Sequence, residues 1–189
     1  YSEVLRRGVG ETLIMLALFG SRAHADPQAE HRAARIVEKV LNGADGQRWW
    51  SLSTEFQLLA EAAPRQFLRE LERSLDDDEP AIYALFGSDG HGIFDAEHLS
   101  DLLWALEALA WSQDYIAPVA HILARLDAAD PGGRYSNRPG SSLRDIFLLW
   151  EPQTNTPLSQ RLKVLDRLRN SHSEQAWKLM NSILPSGHD

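Results

Sequence analysis

The sequence predicts an all-α chain: an irregular array of antiparallel helix pairs, HEAT-like or α-solenoid-like, with eight to ten helices. Three observations carry this. Apolar residues recur at intervals of three and four in one segment after another, and no segment sustains the alternation of a half-buried strand. β-branched residues are sparse. Stops and starts follow each other closely, with glycine or a polar pair after a stripe and proline or a hydroxyl before the next.

Ser2 to Phe19 reads as the first helix. Leu13 to Phe19 is apolar on all sides, which predicts burial against several neighbours. Gly8 and Gly10 weaken its first half by about 1 kcal/mol each and allow a close helix crossing. Gly20 is placed to end it with a left-handed cap. Asp26-Pro27 offers a cap followed by proline at the first helical position. Ala29, Ala33, Ile36, Val37, Val40 and Leu41 then form one face through to Gly43, so the first two helices make a hairpin.

After Trp49-Trp50, Ser53 is expected to cap a helix over Thr54 to Ala62. Pro64 opens the next, striped by Phe67, Leu68, Leu71 and Leu75. Asp76 to Glu79 reads as a solvated connection and Pro80 to Phe86 as a short helix. Gly87 to Gly92 is no phosphate cradle, because the Gly-Lys-Ser/Thr ending and a preceding strand are both missing. Ala96 to Trp111 is a long helix with Leu99, Leu102, Leu103, Leu106 and Leu109 in register. Another runs from Ser112 to Leu126, where Pro118 predicts a kink or a delayed start.

Asp130-Pro-Gly-Gly is a turn, and Arg138 to Thr154 reads as a joint. Within it, Ser142 with Asp145 looks like a cap over a short helix striped by Leu143, Ile146, Phe147 and Trp150, ended by Glu151-Pro152. Thr156-Pro157 starts a helix to about Arg169. Ser171 with Glu174 reads as a capping box for a last helix carrying Ala176, Trp177, Met180, Ile183 and Leu184 on one side. Ala63-Pro64, Ser112-Gln113 and His172-Ser173 each separate two apolar helices, and an apolar or aromatic pair follows within about four residues. That is a degenerate helix-pair repeat without a strict period.

The chain has 189 residues, net charge −8 from 19 basic and 27 acidic side chains, and no cysteine. The acidic balance disfavours a broad nucleic-acid surface, which needs clustered Lys and Arg. The lack of cysteine rules out disulfides and thiolate metal sites and suits a reducing, cytoplasmic setting. The longest apolar run, Leu13 to Phe19, is far short of the roughly 20 residues of a membrane span. Position 1 is tyrosine, so the expectation is one α-helical module, residues 1–189, cut from a larger protein.

Candidate chemistry is thin. Asp89, His91, Asp95 and His98 have the residue types and closeness to hold zinc or manganese; the plainer reading is a polar glycine loop. His24, Asp26 and His31 flank a helix start. His121 is expected to face a carboxylate. Arg161, Lys163, Arg167 and Arg169 read as a solvated basic face. No serine-hydrolase or His-Glu-x-x-His motif occurs, and no cofactor is implied. Of six tryptophans, Trp104, Trp111, Trp150 and Trp177 fall on apolar stripes and are expected in the core. Trp49 and Trp50 are adjacent and cannot share one face, so one of them is a candidate interface anchor for a protein partner or for self-association.

The run Leu103-Trp-Ala-Leu-Glu-Ala-Leu-Ala-Trp111-Ser112, Asp130-Pro-Gly-Gly-Arg134, Asn137 to Trp150, Pro152-Gln-Thr154 and the ending Ala176-Trp-Lys-Leu-Met-Asn-Ser-Ile-Leu-Pro185 resemble a helical segment of very large bacterial proteins. That segment is the non-catalytic scaffold or sensor region of multidomain STAND-type NTPases or SIR2-type NAD hydrolases of the phage-defence kind. The resemblance spans about residues 50 to 185. It implies a non-catalytic protein-interaction or sensor module. No catalytic residue carries over, because no Walker lysine loop and no NAD-binding pattern is present. The alternative is a metal-dependent helical hydrolase built on the Asp89–His98 loop.

Overall fold

A computed structural model describes residues 2–22, 27–87, 98–132 and 137–184. Among them the chain forms ten α-helices and no strand. No described helix is long and apolar enough to cross a membrane. Two compact units divide the chain, Tyr1–Ala105 and Leu106–Asp189.

The first unit holds α1 (Glu3–Phe19), α2 (Ala29–Leu41), α3 (Gly46–Leu52), α4 (Phe56–Ala62), α5 (Pro64–Leu75), 3-10 turns at Ser53–Glu55 and Ala81–Phe86, and the start of α6 (His98–Ala110). Ser2 caps α1 by accepting from the Leu5 N–H. Gly10 sits where α4 crosses, and a Cβ there would lie 2.7 Å from Leu58. Gly20 departs from expectation: it keeps right-handed helical angles. Its smallness serves packing instead, since a side chain at this position would collide with Ala29 of α2. The all-round burial expected of Leu13 to Phe19 does not occur. Met15, Leu18 and Phe19 stay exposed because α2, α4 and the 53–55 turn pack on one side of α1.

Helix α2 buries Ala29, Ala33, Val37 and Leu41, one row at four-residue spacing. Ile36 falls off that row and is exposed. The cap expected at Asp26 lies outside the described residues. In α3, Asp45 caps by accepting from the Arg48 N–H at 2.8 Å. Ser53 does not cap α4: a 3-10 turn intervenes and its hydroxyl points elsewhere. Proline opens α5 as expected. The core of this unit is an aromatic row, Trp49 against Phe56 and Phe56 against Phe67 at centroid distances of 5.8 and 6.1 Å. The acidic run Asp76 to Glu79 is exposed.

The second unit holds the last turn of α6, then α7 (Ile116–Ala129), α8 (Pro139–Phe147), α9 (Leu158–Ser171) and α10 (Ser173–Ser182). Pro118 delays the start of α7, where it occupies the first turn and removes no helical bond. Half of α7 is fully buried, from Ile116 to Leu126, against α8, α9 and α10. Helix α8 begins at Pro139, three residues before the expected cap. Ser142 is therefore inside the helix and donates to Glu107 Oε1 at 2.6 Å. Burial raises the Glu107 carboxyl, the Ser142 bond opposes this, and Asp145 adds to it. The joint is held by Thr154, whose hydroxyl donates to the Ala110 carbonyl at 2.6 Å.

Three further expectations are corrected here. Arg161 is buried rather than solvated, and donates to the Leu148 carbonyl at 2.6 Å. Ser171 and Glu174 form no capping box; Ser171 bonds back to the Arg167 carbonyl and Glu174 pairs with Lys178. The buried face of α10 is Gln175, Ala176 and Leu179, which leaves Trp177 64% exposed. Trp104, Trp111 and Trp150 are also exposed, so Trp49 is the tryptophan of the core.

Candidate functional site

The candidate residues nearest the α3–α6 contact in the first unit gather around one imidazole. Helix α3 points its two tryptophans apart. Trp49 is fully buried, its ring N–H without a hydrogen-bond partner. Trp50 is 42% exposed, and its ring N–H donates to the Ala84 carbonyl at 2.6 Å, which fixes the indole plane. That plane lies tilted over His98 at a centroid distance of 4.8 Å. His98 Nδ1 shares a proton with the Ser53 hydroxyl at 2.7 Å, and Asp101 also bonds to that hydroxyl. Burial raises the Asp101 carboxyl, while the Ser53 bond and His98 pull it back.

Ser53 is 2% exposed, so this serine is no accessible nucleophile. It positions His98 through Nδ1. Asp89, His91 and Asp95 lie outside the described residues. Among the described residues no group of three or more His, Asp or Glu side chains is arranged to hold a metal. Sequence reasoning missed Ser53 and Asp101. The only local signal is the i, i+3 pairing of His98 with Asp101, which puts both on one helix face. Ser53 is 45 residues away in sequence and left no signal.

His121 does not meet a carboxylate as expected. Its Nδ1 faces His172 Nε2 at 2.9 Å. Burial, His121 and Arg125 together lower the pKa of His172. His31 sits on the exposed side of α2, and His24 lies outside the described residues.

The second candidate surface belongs to α1. Val4, Leu5 and Val9 are 82%, 52% and 58% exposed. With Leu13, Leu16 and Ile36 they line a shallow groove of about 640 Å³. Among the described residues that line it none is charged, and Ser2 and Thr12 are its polar side chains.

Comparison with protein-family models, with curated proteins and with solved structures finds no match to this chain.

Proposed function

We propose that this chain is a non-catalytic protein-interaction module that receives an apolar helix of a partner protein in the α1 groove. The observation that carries the reading is the uncovered face of α1. A contiguous apolar surface of this kind is uncommon on a monomer without a use for it, and an uncharged groove between helices suits an amphipathic helix laid along it. Trp50, half exposed and held flat by its bond to Ala84, is a second anchor of the type that interfaces use. The wider context, a sensor region of a large cytoplasmic bacterial defence protein, rests on the resemblance of residues 103–112, 130–134, 137–150, 152–154 and 176–185. The HEAT-like arrangement rests on α4–α5 and α9–α10, each pair joined by one residue and packed together.

The test is photo-crosslinking from position 9 in cells, with position 39 on the charged side of α2 as control. Adducts with a helical segment of another protein, or of a second copy, that form at 9 and not at 39 support the reading. Equal labelling at both positions, or none at 9, sinks it.

A second reading is favoured by His98 alone. An imidazole anchored through one ring nitrogen, as His98 is by Ser53, is how histidine ligands are usually held. In that reading the Asp89–His98 loop binds zinc or manganese and the module is a helical hydrolase. Elemental analysis that finds no bound metal after supply of either ion removes it.

A further inference from the structure

A cleft of about 260 Å³ opens in the second unit between the end of α7, the first turns of α8 and the length of α10. Its floor is Leu143 and Leu179, both nearly fully buried. Two polar side chains in it, nearly buried Gln175 and half-buried Asp127, hydrogen-bond to no other described side chain. Gln175 is 8% exposed, and its amide makes no hydrogen bond among the described residues. The amide is absent from the sealed-off polar atoms, so what exposure it has opens on the cleft. An amide that faces the cleft in this way can donate to and accept from a ligand seated there. Asp127 is the other. Among the described residues its carboxylate accepts no hydrogen bond, and burial raises its pKa, Lys178 opposing while Asp130 and Glu174 add to the rise.

The backbone is cut to admit that carboxylate. Gly140 is the second residue of α8, and any side chain there would collide with Asp127. The opposite charge stands at the rim. Arg144 is held by the Ser182 carbonyl at 3.1 Å, and Lys178 by Glu174 at 2.9 Å. The cleft thus offers one carboxylate, one amide, two positioned cations and an apolar floor. Its volume lies below the roughly 300 Å³ at which drug-sized sites begin.

We propose that this cleft binds a free α-amino acid. The ammonium meets the Asp127 carboxylate and the Gln175 carbonyl, the carboxylate meets Arg144 and Lys178, and a small apolar side chain rests on Leu143 and Leu179. A ligand with only one of the two charges engages only one side of the cleft, either Asp127 or the cations. The inference is independent of the α1 groove, which lies in the other unit.

The experiment is calorimetric titration of the whole chain with small apolar α-amino acids, alongside their amine-only and acid-only analogues. The expected result is saturable binding of the amino acid at least tenfold tighter than either analogue. Q175L and D127N are each expected to weaken it at least tenfold with an unchanged circular dichroism spectrum. Equal binding of an analogue overturns the proposal, as does the absence of any binding at 10 mM ligand (about 2.7 kcal/mol of affinity by the standard relation). Should a variant misfold, the comparison of ligands on the unaltered chain decides alone.

Discussion

Helix α4 passes into α5 through the single residue Ala63, and α9 passes into α10 through the single residue His172. The two corners share one backbone conformation, φ −151°, ψ 72° at Ala63 and φ −139°, ψ 63° at His172. They also share a bonding pattern. Each corner N–H donates back to a leucine carbonyl, Leu59 or Leu168, and each corner carbonyl accepts from the fourth residue onward, Phe67 or Ala176. That fourth residue is fully buried in both. The side chains differ. Ala63 is buried and apolar, whereas His172 bonds to His121 across 51 residues. Phe67 is large and ends the aromatic row, whereas Ala176 is small and lets α10 approach its neighbours. The corner is therefore set by backbone bonding, which closes the orphan groups of both helix ends at once. What each unit hangs on it is free to vary.

The largest effect follows from the residue each corner drives inward. Phe67→Ala is expected to cost about 3–5 kcal/mol, the range for a buried phenylalanine, measured by denaturant unfolding. The reverse exchange, Ala176→Phe, should cost about 1–3 kcal/mol through overpacking. If Ala176→Phe were neutral, the equivalence of the two sites would be broken, because α10 would then leave unfilled space where α5 does not.

The corner side chain supplies the next contrast. His172 has its folded-state value lowered by burial, by His121 and by Arg125. The unfolded chain therefore takes up this proton first. Stability is full above the ordinary histidine value of about 6.5 and falls as pH drops through it. Asp101, Glu107 and Asp127 have raised values, and act in the opposite sense at lower pH. Comparing the parent with His172→Ala isolates the imidazole. The variant, whose corner then matches Ala63, should lose less stability between pH 7 and pH 5. Identical slopes would show that the His121 contact carries no linkage.

Much of this was legible. Ala63-Pro64 and His172-Ser173 stand out as breaks between stripes, and Leu99, Leu102, Leu103, Leu106 and Leu109, read off at helical spacing, are all buried. The third break, Ser112-Gln113, misled: five residues from Trp111 to Tyr115 separate α6 from α7, a loop rather than a one-residue corner. The tryptophans misled for a different reason. Trp104 follows Leu103 in sequence and so points about 100° further round the helix. One step in periodicity takes a large ring from core to surface, and the buried face of α6 is filled by leucine and alanine. The candidate site was legible only in part. Trp50 and His98 stand out as residues, but the bonds that place them, Ser53 to His98 and Trp50 to Ala84, join positions 45 and 34 apart. Local pattern holds no information about such pairs. The same holds for Asp127 and Gln175, whose lack of partners is a property of the packed unit.

The smallest predicted effect is the sharpest test of the comparison. At the first corner the helix opens with Pro64, whose missing N–H costs nothing at the first helical position. At the second corner the same position is Ser173, which neither caps α10 nor spends its N–H within the helix. The residue before it already holds angles that Ala63 adopts before a proline. Ser173→Pro should then restrict the unfolded chain at no native cost and stabilise by about 0.4–1 kcal/mol, read as a rise in the denaturation midpoint at constant slope. If the variant is instead destabilised, His172 cannot keep its angles ahead of a proline ring. The two corners would then share hydrogen bonds without sharing a conformational basin.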